Sequence, residues 1–151
     1  APMRTVLILI FLIFASNEVS ANNVWTLPNA AGKRAKIEYT VCKLGVSMTC
    51  LAVACDALQY YLISLRDGAG SFIGKTEIAT GSKREIVDFV EDSSLIRIFG
   101  VSGSRAKISR ELITRMSLSQ SIKVRDLTSG EDEFSSKNLK LILQRSHSSC
   151  R

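Results

Sequence analysis

The sequence is poor in the residues on which many enzymes depend. It contains one histidine, His147, and none of its four cysteines forms a Cys-x-x-Cys pair. A catalytic nucleophile needs a positioned base, and a lone histidine in the serine-rich segment beside Cys150 gives little reason to expect one. Cysteines without close pairing do not predict a tetrahedral zinc site. We therefore expect no catalytic centre, no metal and no cofactor.

Long hydrophobic runs are also lacking, except for one near the start of the chain. Residues 6–15 are all apolar, but as a helix they rise only about 15 Å, half the thickness of a bilayer core. Arg4 precedes the run, and Val19-Ser20-Ala21 has the small-residue pattern of a signal-peptidase site. The sequence therefore predicts a secretory leader, cleaved after Ala21. We interpret the two residues before Met3 as a cloning remnant.

The composition of the remaining chain is that of one globular domain. The whole sequence is 46% hydrophobic and 23% charged, which excludes a disordered polar chain, a collagen-like repeat and a polytopic membrane protein. We predict a remnant plus signal peptide over 1–21 and a single secreted or periplasmic domain over 22–151. No Asn-x-Ser/Thr sequon occurs, which fits a bacterial product.

Cysteines in an exported chain are expected to be oxidised. Two strands are predicted around the first three, because apolar residues alternate on either side of a turn at 44–46. If Cys42 lies opposite Cys50, the apolar residues pair on the other face, as Val41 with Leu51, Tyr39 with Val53 and Ile37 with Cys55. This agreement favours a Cys42–Cys50 disulfide on the outer face of a hairpin.

Four cysteines allow three pairings, and reach excludes one of them. A Cys50–Cys55 bond within one strand would span about 16 Å, against a limit near 7 Å. The pairing of Cys42 with Cys55 stays open, but the hairpin register favours Cys42 with Cys50 and leaves Cys55 for Cys150. Such a long-range bond is worth about 4–5 kcal/mol on the chain-entropy model.

The rest of the chain predicts short strands and two helices near the C-terminus. Strands are predicted over 58–66, 71–73, 77–80, 85–90, 95–99 and 122–127, and helices over 104–116 and 139–143. The polar segment 128–133 is predicted to be a loop, and Ser135 or Ser136 to cap the last helix. The expected fold is α+β and β-rich, an antiparallel sheet or sandwich of about seven short strands with two helices, stabilised by disulfides.

The C-terminal half resembles small exported proteins of Gram-negative bacteria. The resemblance rests on Leu51-Ala-Val-Ala-Cys55, the strand after it, Phe134 ahead of the 139–143 helix and Cys150. This pattern is similar to that of the invasion-associated locus B group and of accessory proteins of type VI secretion. It implies a β-rich exported domain without catalysis, with an envelope or host partner, and it supports the Cys55–Cys150 pairing. The chain departs from it at Ser136, where glycine is common, and in the extra Cys42/Cys50 pair.

Charge is the remaining signal. The chain has 20 Lys and Arg against 14 Asp and Glu, a net charge of +6. This charge either serves solubility alone or suits an acidic partner, anionic lipid or polysaccharide. Nucleic acid is disfavoured because few aromatic residues accompany the basic runs. Arg105, Lys107 and Arg110 are predicted to gather where the chain enters a helix. The helix dipole makes positive charge at a helix N-terminus mildly unfavourable for stability. Stability therefore gives no reason to gather these three residues there, and we interpret them as a candidate partner-binding patch.

These observations favour a secreted or periplasmic, non-enzymatic binding protein, a Sec-exported virulence factor or effector of a host-associated bacterium. Its partner would be a host or envelope protein. The alternative is a proteinaceous inhibitor of a hydrolase, such as a lysozyme or protease, that presents a rigid loop. An enzyme is the least favoured class.

Overall fold

In a computed structural model, residues 22–68, 70–127, 130–146, 148 and 150 can be described; the predicted leader over 1–21 and His147 lie outside this part. The described chain has the predicted β-rich class, with eight strands instead of about seven and four helices instead of two. In chain order the elements are α1 (Ala30–Arg34), β1 (Ile37–Leu44), β2 (Met48–Asp56), β3 (Gln59–Arg66), β4 (Gly74–Thr80), β5 (Lys83–Glu91), α2 (Ser93–Phe99), β6 (Ser102–Ile108), α3 (Arg110–Leu118), β7 (Ser121–Asp126), β8 (Gly130–Ser135) and α4 (Leu139–Arg145).

The strands form one antiparallel sheet in the order β1-β2-β3-β6-β5-β4-β7-β8. In the β1–β2 hairpin, Cys42 lies opposite Cys50 as predicted, and the Val41–Leu51 and Tyr39–Val53 pairs follow. The predicted pair of Ile37 with Cys55 is wrong. The register shifts between Ile37 and Tyr39, so that Ile37 lies opposite Ala54. A shift of one residue moves a side chain to the other face, and Ile37 accordingly belongs to a second core.

The first core lies on the inner face of the sheet. It joins apolar residues of all eight strands with those of α3 and α4, including Phe89, Leu112 and Phe134. Trp25 is fully buried in it, and its indole Nε1 donates a 2.8 Å hydrogen bond to the carbonyl of Ser135 at the end of β8. The same N-terminal segment forms a bridge with β1 at Thr40. The segment thus connects β1 and β8, the first and last strands of the sheet.

The second core covers the outer face of β1, β2 and β3. The helix α2 packs there through Leu95 and Phe99. The packing is close, because a Cβ added to Gly103 of β6 would lie 2.7 Å from the Cβ of Leu95. The Cys42–Cys50 bond is on this outer face, as predicted, but it is buried in the second core.

Several predicted elements are wrong. Residues 95–99 are helical because Asp92 caps α2 and Gly100 ends it in the left-handed conformation. Residues 104–108 belong to the strand β6, and only Arg110–Leu118 are helical. The segment 71–73 is in no strand.

The predicted loop over 128–133 is also wrong from residue 130 onward, because β8 begins there and pairs with β7. Thr128 and Ser129 lie outside the described residues. The N-cap of α4 is Asn138, with φ 74°, and its side chain makes no capping hydrogen bond. Neither Ser135 nor Ser136 is therefore the cap, although Leu139 and Ile142 are buried as predicted.

The second disulfide joins Cys55 to Cys150, and the pairing in the structure is therefore the predicted one. A hydrogen-bonded serine sits beside it. Ser148 Oγ accepts a hydrogen bond from the Tyr60 hydroxyl and donates one to Glu38 Oε1, each 2.8 Å long. These contacts attach the C-terminal segment to β1 and β3.

An ion cluster joins the last strand of the sheet to β1 and β3. Asp132 of β8 forms ion pairs with Lys43 of β1, at 3.2 Å, and with Arg66 of β3. All three side chains are mostly buried, with exposed fractions of 27% for Lys43, 17% for Arg66 and 19% for Asp132. Among the described residues, no helix is long and apolar enough to cross a membrane.

Candidate partner-binding groove

The three residues of the predicted patch lie on two different elements. Arg105 and Lys107 are on β6, and alternate residues of a strand share a face. Arg110 is the first residue of α3, beyond the end of that strand. The prediction of a binding patch used the unfavourable effect of the helix dipole on positive charge. This reasoning fails for Arg105 and Lys107, because neither is in a helix. It applies only to Arg110.

Arg105 is held in place by two contacts. Its guanidinium lies 4.7 Å above the centre of the Tyr61 ring, within the range of a cation–π interaction. Its Nε is 3.2 Å from Asp92 Oδ2. The side chain nevertheless remains 43% exposed, so Arg105 is positioned by the fold and still accessible to a partner.

Asp92 serves both Arg105 and the helix α2. Its carboxylate accepts hydrogen bonds from the backbone N–H of Ser94 at 2.9 Å and from the Ser94 hydroxyl at 2.6 Å. Partial burial opposes ionisation of Asp92, but these bonds and the positive charge of Arg105 outweigh it and lower its pKa below the usual value of 3.8. Asp92 is therefore a stable carboxylate near neutral pH.

A groove runs over the outer face of the sheet between α1 and α2. It encloses about 210 Å³, and its lining includes Arg34, Tyr61, Asp92 and Arg105. Alanine side chains contribute to the lining, with Ala54 on β2 and Ala35 after α1. The groove is therefore open because small residues lie between two covering helices.

A second cavity of about 430 Å³ continues the groove past the end of β2. The two cavities share Lys36 and Asp56, whose side chains form an exposed 2.9 Å ion pair. Lys33 and Ala57 are among the other residues that line the second cavity. We refer to the two cavities together as the outer groove.

Unfavourable backbone conformations concentrate in and beside the outer groove, which Lys36 and Ala57 line and which Leu58 adjoins through Ala57. Five described non-glycine residues have positive φ, and three of them are Lys36 (61°), Ala57 (50°) and Leu58 (65°). Ala57 and Leu58 form the two-residue turn between β2 and β3, where Asn-Gly is the preferred sequence. Leu58 is 77% exposed. Backbone strain of this kind clusters at functional sites, and its observation supports a hypothesis of function.

Other parts of the sequence supply less chemistry. Among the described residues, no group of three or more histidine, cysteine, aspartate or glutamate side chains could hold a metal ion. His147, the only histidine, lies outside the described part of the chain.

Of the predicted patch, Arg105 lines the outer groove, and Lys107 and Arg110 do not. The sequence contains a basic run at 33–36 but did not single out Arg34, Tyr61, Ala57 or the adjoining Leu58. The signal for the last two was the Ala-Leu sequence in a two-residue turn, which is visible only once the hairpin bounds are known. Comparisons of the chain with protein-family models, with curated proteins and with solved structures each found no match. The resemblance to the invasion-associated locus B group and to type VI secretion accessory proteins therefore stays a prediction.

Proposed function

We propose that this chain is an exported, non-enzymatic binding protein whose outer groove receives a partner protein in the periplasm or outside the cell. The partner would be a host or envelope protein, and the chain a Sec-exported virulence factor or effector. The two disulfides are compatible with an oxidising compartment. Asn22, the residue expected to follow the cleaved leader, pairs with Lys43 of β1.

The observation that carries the proposal is the way the fold presents Arg105. An arginine that is stacked on an aromatic ring and restrained by a carboxylate loses little conformational entropy when it binds. Arginine and tyrosine are also the residue types enriched at the energetic centres of protein interfaces. The ion-paired carboxylate of Asp92 favours binding over proton transfer, because its pKa is lowered whereas a catalytic base works best near the operating pH.

Site-specific photo-cross-linking tests this proposal. A photoreactive phenylalanine analogue at position 61 places the probe in the outer groove, and the same analogue at Ile86, an exposed residue of β5, is the matched control. With both disulfides intact, position 61 should cross-link one discrete protein from host or envelope extracts, and position 86 should not. Equal labelling from both positions, or none from position 61, would contradict the proposal. N-terminal sequencing of the exported chain should begin at Asn22; a start at Met3 would contradict the export argument.

A specific observation supports the alternative, inhibition of a hydrolase by a rigid loop. The Cys42–Cys50 bond braces the β1–β2 hairpin just below its tip, where Val46 is fully exposed and Leu44 is about half exposed. A braced apolar tip suits insertion into an apolar cleft. The disulfide already restricts the hairpin in the folded protein, so the tip loses little conformational entropy on binding. Inhibition of a lysozyme or protease that Val46→Ser abolishes and Tyr61→Ala leaves unchanged would favour this alternative over the groove.

A further inference from the structure

We infer that the ligand of the outer groove is an acidic peptide segment, whose carboxylates bind Arg34 and Arg105 and whose apolar side chain contacts Leu58. This inference rests on the proposed function and names the chemistry of the partner. It follows from unused hydrogen-bond donors, from unpaired positive charge and from the exposed apolar turn.

Arg105 has donors that its contacts leave unused. A guanidinium carries five N–H groups. In Arg105, Nε lies beside Asp92 and the guanidinium carbon lies over the Tyr61 ring. Within the described residues, neither of its Nη atoms makes a hydrogen bond, and its ion pair with Asp92 is through Nε. The planar Nη edge matches a carboxylate in a bidentate arrangement. Arg105 is therefore prepared to accept a second carboxylate, supplied from outside the chain.

Positive charge without a partner lies on the same groove. Lys33 and Arg34 form the last turn of α1 and are exposed. Neither has an ion-pair partner among the described residues, and Arg34 lines the same cavity as Arg105. Three acidic side chains line the outer groove: Asp56 and Asp92 are ion-paired, and Glu38 accepts a hydrogen bond from Ser148. The four basic side chains that line it, Lys33, Arg34, Lys36 and Arg105, exceed them by one charge. The accessible charge of the groove is consequently positive, and the complementary ligand is anionic.

The turn at 57–58 favours a peptide over other anions. Leu58 exposes 77% of its surface, so its side chain adds little to either core. Its left-handed backbone is also unfavourable for a residue with a side chain. A leucine in this position gains contacts only when another apolar group packs against it. A peptide supplies apolar side chains beside its carboxylates, whereas a polysaccharide or a phosphate does not.

Fluorescence anisotropy with two labelled peptides of equal length tests the inference. One combines glutamate with leucine, and the other has glutamine at each glutamate position. The glutamate peptide should bind, more weakly at high salt, and the glutamine peptide should bind at least about tenfold more weakly, or about 1.4 kcal/mol. Comparable binding of the two peptides would overturn the inference, as would tighter binding to an acidic polysaccharide or to anionic vesicles.

Charge reversal locates the binding site. Arg34→Glu should weaken binding of the glutamate peptide at least about tenfold. Lys83→Glu is the matched control, because Lys83 is exposed in β5, lines neither cavity and undergoes the same change of charge. Equal losses in both variants would assign binding to the net charge of +6 and overturn the groove as the site.

The turn variant Ala57→Asn/Leu58→Gly provides a second, independent readout. It should fold at least as stably as the parent and still lose most of its affinity for the glutamate peptide. Full affinity in this variant would overturn the role of Leu58. If position 61 cross-links a protein partner while no acidic peptide binds, the ligand class is wrong and the proposed function stands. If both experiments are negative, both proposals fail.

Discussion

The two-residue turn between β2 and β3 allows a direct prediction about stability. Ala57 and Leu58 have φ values of 50° and 65°, and a side chain in this region costs about 1 kcal/mol per residue. Asparagine tolerates the conformation, and glycine adopts it without steric cost. We therefore expect the double variant Ala57→Asn/Leu58→Gly to be more stable than the parent chain.

The size of the gain follows from three contributions. Relief of the backbone strain at positions 57 and 58 contributes about 2 kcal/mol. The greater freedom of glycine in the unfolded chain removes about 0.5–1 kcal/mol. Loss of the leucine side chain removes a few tenths of a kcal/mol, because Leu58 is 77% exposed. The net stabilisation is about 1 kcal/mol, equivalent to an increase in Tm of roughly 3–5 °C for a domain of this size.

Urea unfolding with both disulfides intact measures this gain. The midpoint should rise while the m-value stays the same, because the exposed area on unfolding does not change. Leu58→Ala is the control, since it removes most of the side chain but keeps a Cβ at positive φ, and it should show no gain. A double variant that is less stable than the parent would refute the assignment of strain to this turn.

Three further substitutions test the packing and the charges. Gly103→Ala should cost about 1–3 kcal/mol in urea unfolding, because its Cβ would lie 2.7 Å from that of Leu95; an unchanged midpoint would contradict the close packing of α2. Asp132→Asn should cost about 2 kcal/mol, because two mostly buried cations lose their carboxylate; an unchanged free energy of unfolding at neutral pH would contradict this. Asp92→Asn should destabilise by about 0.5–1 kcal/mol at neutral pH. Because folding lowers the pKa of Asp92, its contribution is present above the unfolded pKa of 3.8 and is lost as the pH falls through the folded value. The variant and parent should therefore converge in acid, and a constant difference would contradict the role of the charge.

The β1–β2 hairpin was predictable because two separate patterns agree there. The cysteine register and the apolar register give the same pairing, and the structure has it from Tyr39 to Cys42. The shift at Ile37 was not predictable from alternation, because a bulge adds one residue without changing the composition.

Elsewhere, secondary structure was predicted wrongly because the segments are short and their patterns are weak. Residues 95–99 alternate like a strand over one helical turn, and the signals that decide, the cap at Asp92 and Gly100 after the helix, lie outside that window. In β6 the buried positions include the small residues Ser104 and Ala106, so the alternation is weak. The charged strand β8 was predicted as a loop because acidic residues are rare in central strands; at the edge of a sheet they prevent association with other strands.

The outer groove could be predicted only in part. The basic residue Arg105 was recognisable from local charge. Arg34 and Tyr61, which line the same cavity, are distant from it in sequence. Tyr61 meets Arg105 because β3 pairs with β6, and Arg34 lies nearby because α1 and α2 cover the same face of the sheet. A cavity between covering helices depends on tertiary packing, which periodicity does not report.

The two disulfides differ in when they can form during synthesis. Cys42 and Cys50 are eight residues apart, whereas Cys55 and Cys150 are 95 apart. As the chain emerges from its N-terminal end, Cys55 therefore appears long before its proper partner, in the company of two nearby thiols. Early oxidation of the hairpin removes both competitors and preserves Cys55 for Cys150. A variant whose hairpin pairs slowly should accumulate scrambled isomers and depend more strongly on a disulfide isomerase for its yield.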